Sequence, residues 1–203
     1  MEHRKNSKPV FVTLGPRGTN HELVTQRYIA FRKLREASIT LIDNFYDGLS
    51  MLTAGDADFM VQVAVHPECS NIVSAAHFDH GIHVVDTFIS PSKELVIVTR
   101  KDVTSPSSIG LQPATKGYAD LSLWDEQIAV PSIMDAAKGV LEGVFDSALT
   151  AVEVAHEHPD EVRIDVVIGS VDDPWLVYGK QQVSNGTLIA WPDSPVVAQF
   201  KGP

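Results

Sequence analysis

The densest set of chemically useful residues lies between Thr13 and Ile29, in the stretch TLGPRGTNHELVTQRYI. Gly15, Pro16 and Gly18 form a sharp turn between an apolar strand-like run and a helix-like run, and the glycines let the backbone approach a ligand closely. Backbone N–H groups at such a turn, together with the positive end of the following helix dipole, suit a carboxylate or a phosphate. Thr19 adds a hydroxyl, Asn20 sits at the helix start, and Arg17 could supply a full positive charge. The Gly-Lys-Ser/Thr ending of a nucleotide phosphate loop is missing, so a nucleotide is not implied.

Two further residues have the right type for chemistry. Ser132 precedes the run IMDAAKGVL and is placed to cap a helix whose N-terminus could meet a second anionic group. His66 follows a strand-like run and is the best candidate proton donor, because an imidazole titrates near neutrality. The other histidines, including His77, His80, His83, His156 and His158, lack the HExxH spacing that puts two imidazoles on one helical face, so no metal site is expected. A single cysteine, Cys69, excludes an internal disulfide and any cysteine-rich metal centre.

The whole chain bounds these readings. Its 203 residues suffice for one unit or two small lobes, and its net charge of −10 argues against a nucleic-acid or anionic-membrane partner. No signal peptide or membrane-spanning run is read, which points to a cytoplasmic protein.

The elements that must position the candidates follow from hydrophobic periodicity. Strands are expected at Pro9–Leu14, Ser38–Ile42 and Phe59–Val65, separated by helices at His21–Arg35 and Tyr46–Thr53. That alternation implies an α/β sheet with parallel pairing. Two more strands, Ile82–Ile89 and Glu94–Thr99, could carry the chain between two lobes. The polar segment KDVTSPSSIGLQPATKG reads as a linker. Beyond it come a strand at Gln127–Val130, a helix at Ile133–Leu141, a strand at Phe145–Thr150 running into a helix over Val152–His156, and strands at Val162–Val167, Trp175–Tyr178 and Thr187–Trp191, then a Pro-rich tail. The organisation expected is a first lobe of residues 1–99 plus 171–203 and a second of residues 100–170, with a ligand cleft between them.

In order along the chain, LGPRGTN, IDNFYDGLSMLTAGDADFMVQV and AVPSIMDAAKGVLEGVFDSALTAVEVA resemble the motifs of the prephenate dehydratase catalytic domain, from Thr13 to Gly179. The resemblance implies the family's α/β fold, two lobes of the type II periplasmic-binding-protein kind, as a single catalytic unit with no regulatory domain. It also places Thr150 where a strand meets the next helix, facing the cleft, and Lys93 at the pocket wall.

The departures from the family carry chemical meaning. The dehydratases' Thr-Arg-Phe triplet falls on Asp173, Pro174 and Trp175, and their Glu-Asn-Ser ending falls on Ala64, Val65 and His66. The acidic residue of the first motif has become Arg17. A dehydratase expels CO2 and the ring hydroxyl together, and expelling hydroxide needs a placed proton donor and charge stabilisation. With the threonine and arginine gone, loss of CO2 can survive while the hydroxyl stays, and a ring carbon must take up the proton. WLVYGK, from Trp175 to Lys180, resembles the corresponding segment of the non-aromatising prephenate decarboxylases of the bacilysin type, so Trp175 could wall the ring. The reading is a cofactor-free carboxy-lyase of antibiotic or other specialised metabolism acting on prephenate or a related cyclic acid. His66 and Arg17 are its catalytic candidates. Gly15, Pro16, Gly18, Thr19, Asn20, Lys93, Ser132, Thr150 and Trp175 are its binding candidates. Two alternatives stand beside it: a dehydratase that has rebuilt its acid with His66 or Asp173, and a non-catalytic binder of small acids. A homodimer through an edge of the first lobe is compatible with the family.

Overall fold

The computed structural model describes residues 8–191, 194 and 195; the polar amino-terminal stretch and most of the Pro-rich tail lie outside the described residues. Two five-stranded sheets share one plan. In the first, β1 (Val10–Leu14) lies between β2 (Ser38–Ile42) and β3 (Phe59–Val63), all parallel. Antiparallel β10 (Asp172–Gly179) pairs with β3 on one side and with edge strand β4 (His83–Pro91) on the other. In the second, β6 (Ser108–Leu111) lies between β7 (Glu126–Ala129) and β8 (Ser147–Ala151), all parallel. Antiparallel β5 (Leu95–Arg100) joins β8 to edge strand β9 (Val162–Gly169). Each sheet therefore takes its fourth strand from the chain's passage between lobes.

Strand alternation assigns the cores. Val12 and Met60 face one way, under α2 (Phe45–Ala54) and α3 (Cys69–Phe78), where they meet Phe45, Leu49, Leu52, Ile72 and Ala76. Their neighbours Phe11 and Val61 face the other way and pack with Trp175, Val177 and Val24 of α1 (Asn20–Phe31). The second lobe buries Ala136 and Val140 of α4 (Ile133–Leu141) against Val96, Val98 and Ala148.

The structure moves several expected elements. The boundary expected at residue 99 falls inside β5, which pairs wholly in the second sheet, so the crossing lies at residues 92–94. The expected linker contains β6 and a 3-10 helix at Pro113–Tyr118. Helix α3 was not legible: it has no side-chain cap, and it buries only Ile72 and Ala76. Helix α1 ends at Phe31 rather than near Arg35 because the chain turns at Lys33, which has a positive φ. Thr187–Trp191 forms no strand; Leu188 is 92% exposed, and the segment has no ladder partner.

One packing detail fixes the second lobe. The Phe145 ring is wedged between β6 and α4, where a Cβ on Gly110 would stand 2.1 Å from it and one on Gly139 2.2 Å. Gly139→Ala is thus expected to destabilise the protein by roughly 1–3 kcal/mol through overpacking, although alanine is the better helix former. Urea denaturation checks this, and Phe145→Leu in the same chain should recover part of the loss; a stabilised Gly139→Ala would contradict the wedge.

Candidate functional site

The carboxyl ends of β1, β3, β6 and β7 and the amino ends of β5 and β10 converge on one inter-lobe cleft, with an empty volume of about 620 Å³. That figure includes space open to solvent; the room enclosed for a ligand is about 80 Å³, well below the roughly 300–1,000 Å³ of drug-sized sites. Gly15, Thr19, Asn20, His21, Val63 and His66 come from the first lobe; Gln112, Thr115, Tyr118, Pro131, Ser132 and Ile133 face them from the second; Asp173 lies at the start of β10.

The glycine turn is placed at the cleft, but the amides of its two glycines and of Thr19 are already used. Gly15 N–H donates to Ile42 O (2.9 Å), Gly18 N–H to Glu22 Oε2 (2.6 Å) and Thr19 N–H to Pro16 O (3.4 Å). The Thr19 hydroxyl donates to Leu14 O and accepts the Glu22 amide as the N-cap of α1. The expected cradle of bare loop amides is therefore corrected: the turn shapes the start of α1. Among the described residues the amides left free here are that of the exposed Arg17 and the next two, those of Asn20 and His21, at the helix N-terminus lining the cleft. The turn also meets the second lobe, since a Cβ on Gly18 would lie 3.8 Å from Met134 Sδ.

Across the cleft, Ser132 caps α4: its hydroxyl accepts the Asp135 amide (3.1 Å) and donates to Asp135 Oδ2 (2.7 Å). That leaves the Ile133 and Met134 amides as first-turn donors. Thr150 does not face the cleft; it is fully buried, and its hydroxyl donates to Ile133 O (2.8 Å), anchoring the start of α4. Two helix N-termini thus approach the same space from opposite lobes.

The remaining candidates separate. Arg17 and Pro16 are exposed in the turn, and neither lines the cleft. Lys93 also stays outside it; its ammonium pairs with Glu153 (3.2 Å), and its amide donates to Asn20 Oδ1 (3.0 Å). Trp175 is fully buried in the first core and reaches the cleft only through the His21 ring, 5.2 Å away between centroids. His66 lines the cleft, but its Nδ1 accepts the Glu68 amide (3.2 Å), which leaves the ring proton on Nε2. Burial also lowers its pKa, with Glu68 opposing. Both effects disfavour the imidazolium that a proton-donating His66 would require.

Two cleft residues carry more chemistry than their sequence positions indicated. Asp173 is 3% exposed, and it accepts the Tyr118 hydroxyl (2.8 Å), a bond between the lobes. Burial raises the Asp173 pKa, the Tyr118 bond opposes that shift, and Asp172 adds to it. It is the one acidic side chain lining the cleft, and no lysine or arginine does so among the described residues. His21 follows Asn20 on α1, and its ring is walled by Phe45, His66 and Trp175. Its pKa falls from 6.5 to about 3, first through burial and then through His66. The signal for it was a histidine in the first turn of a helix aimed at the cleft; helical periodicity alone assigned it no role.

No protein-family model and no curated protein match the chain by sequence. Solved structures do. The prephenate dehydratase of Arthrobacter aurescens, in complex with L-Phe, matches with a TM-score of 0.61 at 17% identity, over 85% of this chain and 61% of that one. An ABC transporter structure from Parabacteroides distasonis matches with a TM-score of 0.52 at 12% identity, over 84% of this chain and 65% of that one. The chain thus spans less than two thirds of the length of either. The fold is the two-lobed α/β fold of the prephenate dehydratase catalytic domain and the periplasmic binding proteins. No helix among the described residues is long and apolar enough to cross a membrane.

The suppressed basicity of His21 sets an acid sensitivity. Below pH 6.5 the unfolded chain binds a proton that the folded one refuses, so stability should fall as pH drops from 6.5 toward about 3. The slope from this group is at most about 1.4 kcal/mol per pH unit. Urea unfolding at pH 7 and pH 5 should show a smaller difference in His21→Gln than in the parent; an equal difference would place the acid sensitivity elsewhere.

Proposed function

We propose that the chain decarboxylates prephenate, or a closely related cyclic carboxylic acid, without making the ring aromatic. The observation that carries this reading is a cleft with two facing helix N-termini, apolar walls and one buried carboxyl whose pKa burial raises. The amides of Asn20 and His21 on one side, and of Ile133 and Met134 on the other, suit the carboxylates of a small acid. Leu14, Val63, Leu95 and Ile133 leave the ring carboxylate poorly solvated, which favours its loss.

The step balances simply. The bond from the ring to its carboxylate breaks, CO2 leaves, and the electron pair spreads into the ring diene. A ring carbon takes a proton from the Asp173 carboxyl, which recovers one from solvent, and the ring hydroxyl stays. Asp173 takes the acid role in place of His66, because burial favours the protonated form of a carboxyl and disfavours that of an imidazole. Tyr118 holds the carboxyl in position.

A second reading is favoured by the same carboxyl. If Asp173 delivered its proton to the ring hydroxyl, water would leave with CO2, and the protein would be a dehydratase with a rebuilt acid. Incubation with prephenate separates the readings. The expected result is CO2 release without phenylpyruvate; phenylpyruvate would establish the dehydratase, and saturable binding without turnover would leave a small-acid receptor. Asp173→Asn retains an oxygen to accept the Tyr118 hydroxyl but has no proton to give, so kcat should fall about 10²-fold or more with KM little changed. In the parent, kcat should decline as pH rises through the elevated Asp173 pKa, because the protonated form is the donor, and that limb should vanish in the variant.

A further inference from the structure

We propose that His21 is a specificity-determining residue that hydrogen-bonds the uncharged ring hydroxyl of the bound acid. The inference rests on the acid-binding reading of the cleft and names what lies beside the carboxylate.

Its ground is an unsatisfied atom. Among the described residues, three buried polar side-chain atoms lack a hydrogen-bond partner: His21 Nε2, Trp175 Nε1 and Gln62 Nε2. Two of the three belong to adjoining rings, 5.2 Å apart at an interplanar angle of 78°, and one of those rings lines the cleft. Buried polar atoms are almost always paired, so an unpaired set beside a cleft marks where a partner is wanted. In a neutral imidazole Nε2 is a donor or an acceptor according to the tautomer, and a hydroxyl can pair with either. Phe45 closes another side of the ring, at 5.7 Å, and His66 a third, at 6.3 Å.

The type of partner follows from charge. With its basicity suppressed to about 3, the ring is neutral at working pH and offers no full charge to a second carboxylate. The His21 amide, at the same residue, faces the anion as part of the helix N-terminus. One residue thus supplies a backbone donor for the carboxylate and a neutral ring for a hydroxyl. A neutral imidazole is also a poor acid, so the hydroxyl it holds is not pushed out as water. That agrees with a reaction that keeps the hydroxyl.

The test uses binding, which does not require turnover. Calorimetry compares cyclohexanecarboxylate with its 4-hydroxy analogue on the whole chain, with prephenate alongside. The parent should prefer the hydroxylated acid by about tenfold to a hundredfold, the range for one hydrogen bond to a buried group. His21→Phe should bring the ratio close to one. His21→Gln, which keeps a donor and an acceptor, should retain a preference, and it tests the claim should the phenylalanine variant not fold. A preference that survives in His21→Phe, or equal binding of both acids by the parent, overturns the role of His21 and leaves acid binding standing. Failure of the parent to bind any of the three acids removes the proposed function and this inference together.

Discussion

Ser92 is the point on which the two lobes depend. Among the described residues the chain passes between the sheets twice, at 92–94 and at 170–171, and Ser92 bonds one passage to the other. Its amide donates to Val171 O (2.7 Å), its hydroxyl accepts the Val171 amide (3.0 Å), and its carbonyl accepts the Ser170 hydroxyl (2.6 Å). A fourth bond runs from the crossing to the cleft, because the Lys93 amide donates to Asn20 Oδ1 at the start of α1. The orientation of the first-lobe helix N-terminus is therefore set by the same few residues that set the angle between lobes. The Tyr118–Asp173 bond spans the cleft farther out, so the lobes are joined both at the crossing and across the site.

This arrangement explains why the cleft can be built from neutral groups. A lysine or arginine in a poorly solvated space must keep its hydration or find a partner. Here the potential cations are held elsewhere: Lys93 lies against Glu153, and Arg17 projects from an exposed turn. What faces the cleft are peptide dipoles fixed by their helices, which need no reorganisation when an anion arrives. Thr150 and Ser132 serve this purpose without touching the ligand space directly or while occupied with capping, since one anchors and the other caps the first turn of α4. Residues read as ligand donors thus prove to hold the donors in place.

The same distinction explains what the sequence could convey. Helix α4 and its Ser132 cap were legible because a capping residue sits directly before a strongly amphipathic run. β1, β2 and β3 were legible as apolar, β-branched runs, and two lobes could be read from the periodicity, with which the ordered family motifs agreed. β6 was hidden because it has four residues and a glycine that Phe145 requires, and its flanks are rich in Ser and Pro. Thr187–Trp191 misled in the opposite direction: its apolar composition suggests a strand, but pairing needs an available edge, and composition does not report one. In the site, the location was readable and the donor set was not. Gly-Pro-x-Gly-Thr fixes where the backbone turns, whereas the partners of Gly15 and Gly18 depend on Ile42 O and the Glu22 side chain, which only folding brings close.

Asp173 shows why a departure from a family pattern can be read in two directions. Aligned to the lost Thr-Arg-Phe triplet, it marks the removal of a donor and a cation. Placed near the start of β10, opposite Tyr118 and beside apolar walls, it introduces a carboxyl whose charged form burial disfavours. A cation at that position would stabilise a departing hydroxide; a neutral carboxyl would instead give up one proton and, once ionised, repel an anion. In a chain already carrying −10, that repulsion adds to the protein's own field, so the proposed anion would have to be held by short-range amide contacts against an unfavourable long-range potential. Under the proposed reaction such a site would grip an acid while it bears its carboxylates. It would loosen its hold when one of them leaves as CO2, because the amides that faced that carboxylate would lose their partner while the surrounding negative field remains.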